Sequence, residues 1–308
     1  MPLMLVTGPA NSAKAAVVLD GVRAALERDP LLVVPTAADA ERYRRELADG
    51  GAVFGPRVVR FEGLIDEAAR RAAVATRPLG EVARARLVAA VARAARLDVL
   101  AASAATAGFA RAAARLFAEL EVARVDPARL TAGLRAWAGA DAGRRAYGEE
   151  LARLYRGYRA ALERLGRPDR ELHALAALDA LRLDPAAWGA TPVFFYGFDD
   201  LTPLQRDAVE TLATRVRADV TVSLSYEAGR LAFAGRAATF EELRPLADQI
   251  VALQARAEHY APESRAALHG LERGLFEDGA DAGLEPGAAA SSNSARCRPC
   301  SAAREAGA

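Results

Sequence analysis

Leu3-Met4-Leu5-Val6-Thr7-Gly8-Pro9-Ala10-Asn11-Ser12-Ala13-Lys14-Ala15 opens the chain. An apolar run, a turn of Gly, Pro, Asn and Ser, and an immediate helical pattern predict a buried strand, a tight loop and a helix. The loop has the length and the lysine of a phosphate-binding loop, G-x-x-x-x-G-K-[ST], in which backbone N–H groups at a helix N-terminus cradle phosphate. Gly8 and Lys14 hold two of the four defining places, with Asn11 and Ser12 as polar residues between them. The second glycine position is Ala13, whose methyl group stands where phosphate must approach closely. The Ser/Thr position is Ala15, which cannot ligate Mg²⁺. Lys14 is the sole lysine, although Lys and Arg together number 41. A compact ammonium suits a point contact with phosphate. The loop therefore reads as a degenerate nucleotide site that retains at most ATP without hydrolysis.

Outward from the loop, Val17, Val18, Val22, Ala25 and Leu26 recur at helical spacing until Arg28-Asp29-Pro30. A second strand spans Leu31 to Val34 and ends at Pro35-Thr36, followed by a charged helix from Ala37 to Leu47. A short strand, Val58 to Phe61, precedes a helix from Gly63 to Ala73. Strands alternating with helices of this length predict βαβ units and a parallel sheet.

Between about Leu79 and Leu183 the strand signal vanishes into amphipathic helix, punctuated at 98–106, 126–127, 139–143 and 166–168. In its clearest helix, Gly143 to Leu165, Tyr147, Leu151, Leu154, Tyr155, Tyr158, Leu162 and Leu165 share a face. Arginines fill much of the rest, reading either as a solvated face balanced by Glu149, Glu150 and Glu163 or as a groove for a phosphate backbone. The strand signal returns at Val193-Phe194-Phe195-Tyr196-Gly197-Phe198. Thr202 then caps a helix from Pro203 to Arg217, and Val220 to Tyr226 alternates apolar with Thr and Ser, predicting one face less buried than the other. A long helix from Phe240 to Glu258 and a shorter one near Pro262 to Phe276 complete the ordered part.

A net charge of +1 advertises no global nucleic-acid field, so any such site must be local. Both cysteines, Cys297 and Cys300, lie in a Gly/Ala/Ser-rich tail that reads as disordered or aberrant. The rest of the chain has no disulfide, as in a reducing compartment. A lone C-x-x-C without further ligands makes no metal site. No signal peptide or uninterrupted apolar run of about 18 residues appears, so a cytoplasmic protein with no membrane partner is expected.

The order of these parts resembles the N-terminal helicase-like domain of superfamily 1 DNA helicases. The closer likeness is to the B subunit of the bacterial AddAB (RexAB) helicase-nuclease, which carries an inactivated copy of that domain. In active members the second nucleotide motif reads roughly D-E-x-Q-D-x-x-x-L-Q. The corresponding stretch is Tyr196-Gly197-Phe198-Asp199-Asp200-Leu201-Thr202-Pro203-Leu204-Gln205, where Asp200, Leu204 and Gln205 match. The Mg²⁺-binding Asp and catalytic Glu are replaced by Tyr196 and Gly197. The run from Gly197 to Gln205 is similar to a Gly-Phe-x-x-hydrophobic-Thr-Pro-x-Gln phrase of the B subunit. A Gly-Asp-x-x-Gln sensor is replaced by Ser223-Leu224-Ser225-Tyr226-Glu227.

The resemblance implies a RecA-like P-loop parallel sheet in two halves, 1–78 and 185–276, split by a helical insertion, 79–184, with a disordered tail, 277–308. It implies a catalytically inactive module of double-strand break repair and recombination, without ATPase, helicase or nuclease activity of its own. That module would bind DNA ends or single-strand/duplex junctions through Thr36, Arg60 and Phe61 and dock on an AddA-type motor subunit. Asp200 and Gln205 would be helicase-motif remnants. Two alternatives stay open: a divergent P-loop kinase or NTPase using Asp199 or Asp200 for Mg²⁺, and a protein-only scaffold.

Overall fold

The strand-helix alternation read from the first eighty residues builds a single sheet in the computed structural model, which describes residues 2–48 and 56–277. Its strands are β1 (Leu3–Gly8), β2 (Leu31–Val34), β3 (Arg57–Arg60), β4 (Val193–Phe195), β5 (Val220–Ser225) and β6 (Gln249–Ala252). They lie in the order β3-β2-β4-β5-β1-β6, and every pairing is parallel. All carboxyl ends therefore share one edge, where ligands of open α/β sheets bind. One strand, β5, separates β1 from β4, with Leu5 opposite Val222 and Phe195 opposite Val222 on its other side.

Helices α1 (Lys14–Ala24), α2 (Ala37–Leu47) and α3 (Phe61–Arg71) connect the first strands. Between β3 and β4 run α4 (Glu81–Ala94), α5 (Ala101–Ala104), α6 (Phe109–Val122), α7 (Pro127–Ala138), α8 (Ala142–Leu165) and α9 (Arg170–Leu183). The remainder holds α10 (Pro203–Glu210), α11 (Ala237–Leu243) and α12 (Arg265–Gly274). Leu32, Val34 and Phe194 bury one sheet face under Val18, Leu19 and Val22 of α1 and Tyr43 of α2. Leu31, Val33 and Phe195 bury the other under Leu64 of α3, Ala177 and Leu178 of α9, and Leu204 of α10. Burial on both faces is why these strands are written as continuous apolar runs.

The helices between β3 and β4 close around a separate core. The Phe117 ring stacks on Tyr158 at 5.1 Å and leans on Tyr155 at 5.2 Å, with Val88, Leu154 and Leu162 around them. Each phenol has an acceptor: Tyr155 donates to the Val125 carbonyl at 2.9 Å and Tyr158 to Asp169 at 2.6 Å. Buried tyrosines are stable only when so satisfied. The tyrosine stripe is core, except Tyr147, which stays 38 % exposed near Trp137. Asp126, Asp141 and Asp169 cap α7, α8 and α9 by accepting backbone N–H bonds.

Three expectations are corrected. The long helix from Phe240 to Glu258 does not form: Pro245, which has no N–H to continue a helix, sits in a 3₁₀ turn at Arg244–Leu246 after α11, and β6 follows. Leu165, expected on the apolar face of the Gly143–Leu165 helix, is exposed, because it is the last residue before the Gly166 cap. The Thr/Ser face of β5 is the less buried one, as expected, though Thr221 and Ser223 are themselves buried. Glu150 is also buried, and does not balance arginines on the surface of α8; its carboxylate accepts the backbone N–H groups of Asp98, Val99 and Leu100 at 2.7, 3.1 and 2.9 Å. The tail with Cys297 and Cys300 lies outside the described residues. Among the described residues no helix is long and apolar enough to cross a membrane.

Candidate functional site

The loop after β1 holds Asn11 and Ala13 in left-handed conformation, at φ 53° and 61°. That conformation costs an L-residue roughly 1–2 kcal/mol, so Ala13 is strained where glycine would not be. Lys14, the first residue of α1, folds back into the loop. Its Nζ donates to the Gly8 carbonyl at 2.9 Å, to the Pro9 carbonyl, and to Ser12 Oγ at 3.2 Å. Ser12 Oγ in turn donates to the Pro9 carbonyl at 2.9 Å. An ammonium has three protons, and all three are engaged. Burial, reinforced by the nearby Arg236 guanidinium, lowers the Lys14 pKa to about 8.

Gly8 is required by space: a Cβ there would stand 2.6 Å from Ser12 Oγ and 2.8 Å from the Leu253 carbonyl. The segment leaving β6 straps this loop, with Leu253 N–H donating to the Thr7 carbonyl at 2.8 Å and Arg256 N–H to the Asn11 carbonyl at 3.0 Å. Ser12 and the Lys14 side chain thus bond back onto the loop itself.

The parallel sheet brings the remaining sequence-predicted residues to the same edge. Thr36, after β2, caps α2: its Oγ1 accepts the Asp39 N–H at 3.1 Å and donates to the Asp39 carboxylate at 2.6 Å. Arg60, ending β3, is half-exposed and pairs with Glu62 at 3.6 Å. Phe61 opens α3 and packs half-buried against the main core. Beyond β4, Gly197 takes φ +84° beside Pro35, while Tyr196 meets Tyr43 edge-on at 5.3 Å. Asp200 accepts the Leu201 N–H at 2.8 Å and the Thr239 hydroxyl. Gln205 completes a capping box: its Oε1 accepts the Thr202 N–H at 2.9 Å and its N–H donates to Thr202 Oγ1 at 3.3 Å.

Arg236, which sequence reading did not single out, links the two halves. It lies near enough to Lys14 to depress its pKa, and its Nε donates to the Asp199 carbonyl at 2.8 Å. It also pairs with the Asp199 carboxylate at 3.4 Å, and no spacing marks it, because Asp199 and Lys14 lie far from it in the chain. Nearby, Arg230 is held by Glu272 at 3.0 Å and Glu277 at 3.1 Å, and Arg273 by Glu227 at 2.6 Å, so α12 is tied across the end of β5.

Among the described residues one group of three acids is close enough to consider for a cation: Glu121, Asp169 and Glu171, with oxygens within 4.8 Å of one another. Arg84 stands among them, 2.9 Å from Glu171, 3.3 Å from Asp169 and 3.9 Å from Glu121, and Arg159 is 3.9 Å from Glu121. Burial and the adjoining Asp169 push the Glu121 pKa upward, which keeps its carboxyl protonated. The Arg84 guanidinium, within 3.9 Å of all three acids, already supplies positive charge among them. The group joins α4, α6, α8 and α9 as an ion-pair hub.

No protein-family model matches the chain, and no curated protein is recognisably similar to it.

Proposed function

We propose that this chain is a catalytically silent, helicase-like module of the AddB/RexB type that binds DNA ends and docks on a motor subunit in double-strand break repair. The observation that carries the reading is the placement of two degenerate motifs. The loop bearing Lys14 and the segment bearing Asp200 and Gln205 end strands one apart on the same edge of an all-parallel sheet. On this reading the sheet is RecA-like, the helices from α4 to α9 are its insertion, and the motif residues persist as parts of the scaffold.

Support for silence comes from chemistry. Tyr196 and Gly197 stand where a metal ligand and a general base would be needed, and Asp200, the nearest matching acid, is held by Leu201 and Thr239. Phosphoryl transfer depends on a bridging cation and an oriented nucleophile. Asp199, the other acid at this strand end, is paired with Arg236 at 3.4 Å.

The DNA role rests on Thr36, Arg60 and Phe61 lining the edge beyond β2 and β3, and its test is a binding titration. A forked duplex with a single-stranded tail should bind in low salt, with affinity falling linearly on a log-log plot as salt rises. Arg60→Ala should weaken binding and flatten that slope by about one phosphate contact. An unchanged affinity and slope, or ATP turnover lost on Lys14→Ala, would refute the assignment.

A further inference from the structure

A groove of about 570 Å³ runs between α4 and α8. Its lining is aliphatic and small: Val91 and Ala94 from α4 with Gly157 and Ala161 from α8. Gly157 lets the two helices approach closely beneath it, since a Cβ there would meet the Val91 side chain at 3.0 Å. Three guanidiniums rim it, those of Arg96, Arg153 and Arg164. No carboxylate lines the groove, and among the described residues none of the three arginines has a carboxylate partner within ion-pair distance. Arg153 also donates to the Arg96 backbone carbonyl, which draws two of the three together at one end of the groove.

Arg153, Gly157, Ala161 and Arg164 fall on one stripe of α8, since offsets of four, eight and eleven residues return to the same face. The stripe spans about 16 Å, three helical turns. We infer that this groove receives an amphipathic helix of a protein partner, its apolar stripe on the aliphatic lining and acidic residues on both flanks facing the three arginines. Charge complementarity selects an anionic occupant, and the lining selects between kinds of anion. A sugar-phosphate backbone laid over Val and Ala would lose water without gaining polar partners, which is costly. A helix with aliphatic residues at i, i+3, i+4 and i+7 buries them there while its carboxylates meet the rim. The inference stands apart from the sheet edge and its DNA role.

The test uses the full chain and a fluorescein-labelled synthetic peptide of about 14 residues, with Leu on one stripe and Glu on the flanks. A twin carries Lys for every Glu. The acidic peptide should bind, and the Lys twin should bind about tenfold weaker or worse, because attractive pairs become repulsive ones. Two variants with exposed changes, Arg153→Glu/Arg164→Glu and Ala94→Trp, should each weaken the acidic peptide about tenfold, the first by charge and the second by filling the groove. Equal binding of both peptides, or unchanged binding by both variants, overturns the proposal. It is also overturned if a single-stranded oligonucleotide displaces the peptide and its own binding is lost in Arg153→Glu/Arg164→Glu, since the groove would then be a phosphate surface.

Discussion

Lys14 offers an unusually clean titration, because no other lysine exists in the chain to obscure it. Burial, with Arg236 adding to it, lowers its pKa from 10.5 to about 8. At 1.36 kcal/mol per unit that shift corresponds to about 3 kcal/mol, which solvent reaching the partly open loop screens to about 2 kcal/mol. The sign follows from proton counting. Below pH 8 both states carry the charge, and burying it costs this energy. Above pH 8 the folded state releases its proton while the unfolded chain retains it up to 10.5, so stability rises with pH across that window.

Urea unfolding of the wild type and of Lys14→Met, followed by far-UV circular dichroism from about pH 7 to about pH 10.5, reads this directly. Tyrosine and thiol titration is common to both proteins and cancels in the difference. The wild type should gain about 2 kcal/mol on the variant across the window. A difference that stays flat, or runs the other way, would refute the claim that the ammonium is buried among carbonyls. Repeating the series with inorganic phosphate adds a second discriminator: an anion seated on Lys14 would raise its pKa and abolish the rise.

Three further outcomes follow from the packing. Glu67 accepts from Arg57, Arg70 and Arg71, and although burial alone would raise its pKa, those bonds, Arg70's foremost, hold it well below the usual 4.5. Its contribution is complete above that value and lost as pH falls through the folded pKa, so Glu67→Gln should cost about 2–3 kcal/mol at neutral pH and flatten the acid limb of an unfolding series. Glu150→Gln removes the charge that receives three backbone amides, and hydrogen exchange at Asp98, Val99 and Leu100 should accelerate while the β1 and β5 amides stay protected. Gly197→Ala should lower stability by about 1 kcal/mol because φ is +84°, whereas Gly235→Ala, with open space around its Cβ, should not carry that penalty.

How far the sequence disclosed the fold depends on what each strand touches. β1, β2 and β4 were legible because two helical layers bury them, leaving runs such as Leu31 to Val34 with no polar break. β6 was not, because Gln249 to Ala252 is short, mostly exposed on its outer side, and formed by pairing with β1 after Pro245 ends α11. The alternation in β5 was legible too: its Thr/Ser face is the less buried one, though small hydroxyls on a central strand are still covered by packed elements. At the site, Gly8, Asn11, Ser12 and Lys14 were identifiable from their spacing. Their mutual engagement was not, since the acceptors for Lys14 are chiefly backbone carbonyls that no side-chain pattern encodes. The Arg84 hub was equally invisible, its members being drawn from α4, α6 and α9.

The energetics of the loop bear on why recognisable motif residues can outlast a catalytic role. A group can serve a ligand only with hydrogen-bonding capacity that the protein has left free. Lys14 has all three protons engaged, Asp200 accepts from Leu201 and Thr239, and Gln205 is closed into a box with Thr202. Swinging Lys14 onto a phosphate would take its donor from the Gly8 carbonyl, at about 1–3 kcal/mol, while the Pro9 carbonyl keeps Ser12. That loss weakens nucleotide binding by roughly five-fold to a hundred-fold. Each motif residue meanwhile supports the turn or helix that contains it, so mutating it would damage the scaffold. On the proposed reading, selection on the fold alone is enough to keep Lys14, Asp200 and Gln205 in place once hydrolysis no longer matters.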